Sequence, residues 1–181
     1  MSVAQRSGAS DAYGAQEPGG RQALARLYAD HYQTLVRVAA LLTGDERCAD
    51  DVVVDSFAAL WSAGLADAGD RALSYLRQQV VLRSRRVTLQ AHARDRAAHR
   101  PAHNAQPGWD GHGRGSPARE FGGLPAVLGL MTLRPAEREA VVLTTYLDLP
   151  EQQAAAAAGV RPAALRRYLA SATEVLRGWP A

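Results

Sequence analysis

The stretch that most constrains this chain is residues 149–168, LPEQQAAAAAGVRPAALRRY. Its alanine-rich first half predicts a helix with Pro150 at the first helical position, which proline tolerates. Gly159 then supplies a residue suited to a left-handed turn, and Pro162 opens a second helix. The pattern predicts a helix-turn-helix, whose second helix can present side chains to a DNA major groove. The side chains on its early turns include two arginines, Arg166 and Arg167.

The rest of the chain also has the spacing of amphipathic helices. Apolar residues recur every three or four positions over residues 23–42, 46–61, 73–94 and 135–146, and a shorter apolar helix is predicted near residues 125–133. No apolar run approaches the roughly 20 residues that a bilayer span needs, so no membrane partner is expected. The predicted fold class is therefore all-α.

Composition divides the chain into segments. Residues 99–123 are rich in Gly, Pro, His and Arg and show no periodicity, which is typical of a flexible linker. Residues 1–20 are small and polar and are predicted to be a disordered tail. Two small helical domains are expected on either side of the linker, at residues 21–98 and 124–179.

Charge is unevenly distributed along a chain whose net charge is only +3. Residues 72–100 carry seven arginines against one aspartate, whereas residues 45–55 carry five acids against one arginine. A local basic block favours a polyanionic partner. A solvated helix face explains the same block equally well.

The sequence lacks the residues that disulfide-linked, metal-binding and catalytic proteins require. The single cysteine, Cys48, allows no intrachain disulfide, and the five histidines do not cluster with acids or cysteine as a metal site requires. No phosphate-binding loop, nucleophile triad or pair of catalytic carboxylates is present. We expect no metal, no cofactor and no enzyme activity. Because residues 1–20 contain no apolar segment of a secretory signal, we expect a cytoplasmic protein.

Three strings of the sequence resemble one family. The string ADDVVVDSFAALW, residues 49–61, resembles region two of the extracytoplasmic-function sigma factors of bacteria. The string that begins LRPAEREAVVLTTY, residues 133–168, is similar to region four of the same group. Between them, ALSYLRQQVVLRSRRV, residues 72–87, lies where the family has its promoter-melting helix. The resemblance covers both predicted domains in the family's order.

The resemblance implies that the helix over residues 46–61 binds the clamp helices of the β′ subunit of RNA polymerase core. Acids four residues apart share one face of such a helix. The alternative is an ordinary amphipathic helix whose acidic first turn suits the helix dipole. One candidate, Val54, departs from the glutamine that is usual in the family. The candidate polymerase contacts are Asp50, Asp51, Val54, Asp55 and Phe57.

The resemblance also assigns DNA contacts to two helices. On the third helix, arginines would bind the phosphates of the melted promoter −10 region, and Tyr75 would stack on bases or, as the favoured alternative, pack in the core. Leu82 on this helix replaces a common asparagine. The −10 candidates are Tyr75, Arg77, Arg83, Arg85 and Arg86. The −35 candidates, on the recognition helix, are Arg161, Arg166, Arg167 and Ser171, with plain solvation as the alternative.

The resemblance therefore implies a sigma factor that binds core polymerase and promoter DNA, with an anti-sigma protein as a further candidate partner. One rival is a sigma-derived regulator that no longer recruits polymerase, which Val54 and Leu82 favour. A second rival is a protein-interaction module in which the helix-turn-helix is only a packing motif. The second rival predicts no salt-dependent affinity for DNA.

Overall fold

The structure, a computed structural model, describes residues 18–98 and 125–178, and the regular structure in these ranges is all-α. The predicted linker and most of the predicted tail lie outside the described residues. Within these two ranges no helix is both long enough and apolar enough to cross a membrane. The helices are α1 (Pro18–Thr43), α2 (Glu46–Ser62), α3 (Asp70–Ala98), α4 (Pro125–Thr132), α5 (Pro135–Val141), a π-helical turn (Val142–Tyr146), α6 (Glu151–Ala158) and α7 (Pro162–Arg177).

The first three helices pack on one another through the apolar faces that the sequence predicts. α2 begins where Asp45 accepts a hydrogen bond from the backbone N–H of Arg47 at 2.9 Å, an N-cap that satisfies one of the free donors at a helix start. The side chains at the centre of this group are fully buried, namely Leu35, Val38, Val53, Leu60, Leu76, Val80 and Val81.

The turn between α6 and α7 forms where the sequence predicts it. Gly159 has φ 67° in the left-handed region and ends α6, and Pro162 begins α7, both as predicted. Pro150 differs, because it is the N-cap of α6 rather than its first helical residue. Its ψ of 147° is extended, while its carbonyl accepts the first helical hydrogen bond from the N–H of Ala154 at 2.9 Å.

The helix predicted over residues 135–146 is not a continuous α-helix. After Val141 the chain forms a π-helical turn, in which the N–H of Leu147 donates to the carbonyl of Val142 at 3.1 Å. The wider turn shifts the register of the residues that follow. Leu143 stays fully buried, but Tyr146, which the periodicity placed on the buried side, is 40% exposed.

The two helical groups are in contact with each other. α6 packs on α3, α5 and the π-helical turn pack on α1, and the buried apolar residues of both groups form one continuous cluster. A buried arginine on α5 also joins them, because Arg138 donates from Nη1 to the carbonyl of Leu42 near the end of α1 at 3.1 Å. A cation at this position suits the negative end of the helix dipole.

Candidate nucleic-acid interface

The acidic residues of α2 form an exposed face. Asp50, Asp51 and Asp55 are exposed, and Val54 between them is 50% exposed. Phe57 is only 5% exposed. Its ring packs in the core and does not lie on the exposed face with the other candidate polymerase contacts.

Two aromatic residues of α1, which the sequence analysis did not select, adjoin this acidic face. The Tyr32 hydroxyl donates to Oδ1 of Asp50 at 2.8 Å, and this bond is the main cause of a raised pKa for Tyr32. Tyr28 stacks on Tyr32 with ring centroids 4.4 Å apart and also contacts the ring of Phe57. Their spacing of four residues puts them on one helix face, but only the packing of α1 on α2 brings that face to Asp50.

The basic residues of α3 do not share one environment. Arg83 forms an ion pair with Asp55 of α2, with Nη1 and Oδ2 3.5 Å apart, and so joins the acidic face to the basic helix. Arg86 is exposed. Near it lie two exposed leucines, Leu82 and Leu89, 42% and 59% exposed. Solvent and partners can therefore reach this part of α3.

Two of the −10 candidates face the second helical group. Tyr75 and Arg77 are partly buried and line a cleft of about 530 Å³ between the start of α3 and α6. The opposite wall includes Gln152 and Gln153. Burial lowers the pKa of Arg77 from its ordinary value. Tyr75 also packs against the hydrophobic core, which was the favoured alternative for it.

Arg85 is held by the second helical group. Its Nε donates to Oε1 of Glu139 at 3.0 Å, its Nη2 donates to Oε2 at 2.5 Å, and Nη2 also donates to the carbonyl of Ala158 at 3.1 Å. The side chain of Glu139 is 6% exposed and that of Arg85 is 37% exposed. The hydrogen bonds to Glu139 are the main cause of a raised pKa for Arg85.

The arginines of α7 point outward. Leu165 and Ala172 are fully buried, and this buried stripe leaves the opposite side of the helix in solvent. The ion pair of Arg166 with Glu151, 2.7 Å long, lies on the surface, where such pairs contribute about 0–1 kcal/mol. This ion pair therefore does little to hold Arg166 in place. The exposed arginines at the start of the helix are Arg161, Arg166 and Arg167.

Ser171 is the −35 candidate with a contact inside the protein. Its hydroxyl donates to Oε1 of Glu137 at 2.7 Å and so ties α7 to α5. Glu137 is 4% exposed, and its Oε2 also accepts the backbone N–H of Arg134 at 3.0 Å. The bond from Ser171 is the main cause of a lowered pKa for Glu137. This geometry indicates a role for Ser171 in packing.

We expect Ser171→Ala to lower the free energy of unfolding by about 1 kcal/mol at neutral pH, because the buried carboxylate loses a donor. A lowered folded-state pKa stabilises the protein above the unfolded value of 4.5, and this contribution is lost as pH falls through the folded-state pKa. The difference in free energy of unfolding between the original protein and Ser171→Ala should therefore shrink at acid pH. Urea unfolding at several pH values measures this difference. Thr173→Ala is the control, since that hydroxyl bonds only within α7. Unchanged stability with weaker DNA binding would indicate a DNA contact instead.

Neither a metal-binding cluster nor a reactive cysteine is found among the described residues. Over residues 18–98 and 125–178 no three His, Cys, Asp or Glu side chains lie close enough together to hold a metal ion. Cys48, at the start of α2, has a raised pKa, mainly because of burial. A thiol of this kind is less reactive than an ordinary cysteine at neutral pH.

Comparison with known proteins shows a likeness in fold. No family model matches the sequence, and no curated protein matches it. Among solved structures, the chain is similar to CnrH, determined in complex with the cytosolic domain of CnrY. The two are 22% identical, with a TM-score of 0.59 over 88% of this chain and 92% of that chain. This chain therefore shares its overall fold with CnrH.

Proposed function

We propose that this protein is a sigma factor of the extracytoplasmic-function type, which binds core RNA polymerase and directs it to promoters. The observation that carries the proposal is α7, which buries one stripe and presents Arg166 and Arg167 on its exposed first turns, with Arg161 exposed at its N-cap. With α6 and the left-handed Gly159 it makes a helix-turn-helix suited to a major groove. The shared fold with CnrH, an extracytoplasmic-function sigma factor, supports the same conclusion.

The polymerase contact is assigned to the exposed face of α2. Three aspartates around Val54 provide negative charge beside an apolar side chain, and a basic, partly apolar helical partner complements both. The clamp helices of the β′ subunit are the partner that the sequence resemblance implies. Tyr32 and Tyr28 extend this face onto α1.

The DNA contacts are divided between two helices. α7 would bind duplex DNA at the −35 element, and the basic side chains of α3 would bind the melted strand at the −10 element. Each contact alone can be weak, because joining both to one polymerase raises their effective concentration. The protein acts by binding rather than by catalysis, in the cytoplasm where polymerase is found. An anti-sigma partner is part of the proposal, since CnrH was determined in complex with another protein, the cytosolic domain of CnrY.

Run-off transcription tests the proposal directly. Purified core polymerase is incubated with a pool of promoter fragments, with and without this protein. Specific transcripts that depend on the protein are the expected result, and their start sites would locate both promoter elements. Binding to DNA without polymerase recruitment would favour the sigma-derived regulator. Absence of salt-dependent DNA binding would favour the protein-interaction module.

We expect Val54→Gln to strengthen binding to core polymerase by a few-fold, because one added hydrogen bond contributes about 0.5–1.5 kcal/mol. Val54 is 50% exposed, so the protein should tolerate the substitution without loss of stability. Titration of labelled protein with core polymerase measures the affinity. Val175→Gln, at a 44% exposed valine on α7, is the matched control. Equal affinity of Val54→Gln and the original protein would argue that α2 does not contact polymerase.

A further inference from the structure

The face of α3 that carries three −10 candidates is covered by the protein's own second helical group. Arg85 is bound in fork geometry by Glu139 and by the carbonyl of Ala158. Tyr75 and Arg77 lie in the cleft against α6. In this arrangement the donors of Arg85 are taken up by the second helical group, and α6 forms the opposite wall of the cleft at Tyr75 and Arg77.

The contact at Arg85 has the chemistry of a phosphate site. A carboxylate presents two oxygens to the two parallel N–H groups of a guanidinium, as a phosphate does. Glu139 is nearly buried, and each of its oxygens accepts from Arg85. The nearby carbonyl of Ala158 satisfies a further donor of the same guanidinium. A DNA phosphate and Glu139 would therefore compete for one set of donors.

The contact of α6 with α3 buries little apolar surface. The buried face that α6 contributes consists of alanines, which remove little apolar surface from water compared with larger side chains. Contacts between parts of one chain that bury little apolar area open more readily than large hydrophobic ones. The polar contacts of Arg85, with Glu139 of α5 and with the Ala158 carbonyl of α6, therefore contribute part of what holds the second helical group on α3.

We propose that Glu139 occupies the phosphate site of Arg85 and so keeps the free protein in a closed state that blocks its own single-strand-binding face. This inference rests on the DNA-binding role of α3 proposed above. Opening exchanges the carboxylate for a DNA phosphate at Arg85 and exposes Tyr75 and Arg77 together. The apparent affinity for a single strand then equals the intrinsic affinity multiplied by the fraction of open molecules.

The substitution Glu139→Gln tests the closed state. Glutamine keeps the size of the side chain but removes the charge that makes the bidentate pair strong, so the open fraction rises. We expect the affinity for a fluorescein-labelled single strand of mixed sequence to increase about tenfold, measured by anisotropy on the full chain. Glu174→Gln is the control, because it removes the same charge from the exposed ion pair with Arg177. An equal increase in both variants would overturn the proposal.

A distance measurement reports the closed state without any DNA. With Cys48 replaced by Ala, fluorophores on Ser62→Cys in α2 and Thr173→Cys in α7, both exposed positions, report the separation of the two groups by energy transfer. Transfer should fall in Glu139→Gln and also in Arg85→Gln, the second variant that breaks the pair. Only Glu139→Gln should gain affinity, since Arg85→Gln also loses the phosphate site.

Each outcome decides between the two proposals. Unchanged energy transfer in both variants would overturn the closed state. A fall in transfer with no gain in affinity, while the original protein binds the strand, would overturn the blocking role of Glu139. A fall in transfer when no variant binds the strand even at low salt would reject the DNA-binding role of α3 and leave the Arg85 contact as a purely structural one.

Discussion

Arg138→Met is expected to lower the free energy of unfolding by about 3–4 kcal/mol, since hydrogen bonds to a charged group contribute about 1.5–3 kcal/mol each and are not fully additive. The guanidinium of this 9% exposed residue donates to four backbone carbonyls, and methionine offers none of these bonds. One acceptor, Leu42, lies near the end of α1, so the loss affects both helical groups. The others are Leu130, Met131 and Leu133, near the end of α4.

Urea unfolding measures this effect. The slope of the free energy of unfolding against urea concentration should be the same for both proteins. Arg138→Lys should lie between the original protein and the methionine variant, because an ammonium keeps the charge but cannot reach four acceptors in fork geometry. Arg177→Met is the control, at an exposed ion pair on α7, and should change stability by at most about 0.5 kcal/mol. A loss below about 1 kcal/mol for Arg138→Met would show that the carbonyls find other donors.

The double substitution Arg166→Ala and Arg167→Ala is expected to weaken binding to duplex promoter DNA about a hundredfold, because one bidentate contact to guanine contributes about 1–3 kcal/mol and a phosphate contact adds more. Both side chains are exposed, so stability should hardly change. Anisotropy on fragments from the promoter pool measures the affinity. A shallower dependence on salt would identify the share of the loss that comes from phosphate contacts.

Arg177→Ala provides the comparison for this prediction, since it removes an exposed arginine from the far end of the same helix. It should leave DNA affinity within about twofold, a change of less than 1 kcal/mol. The two single substitutions then separate the roles of the neighbours. A base contact weakens binding to some fragments more than others, whereas a phosphate contact weakens all of them alike. No loss in the double variant would favour the packing-motif alternative.

Local sequence rules predicted the helices and the turn before α7 because the causes are local. Gly159 adopts the left-handed conformation that glycine allows, and Pro162 begins a helix where a missing N–H costs nothing. The apolar periodicity also predicted the main helices. The π-helical turn was missed, since it depends on a change of hydrogen-bond register that no single residue in Val142–Tyr146 signals. The buried side assigned to Tyr146 was wrong for the same reason.

The sequence by itself thus determined which residues are charged, which faces of the helices are apolar and where the two arginines of α7 lie. Only the tertiary structure decided which charges face solvent. Glu137, Arg138 and Glu139 belong to residue types that are rarely buried, yet all three are buried. Their partners include residues distant in sequence, since Glu139 follows Arg85 by 54 positions and Arg138 follows Leu42 by 96. A charge can be buried when such a partner satisfies it, and contact between the two helical groups provides the partners.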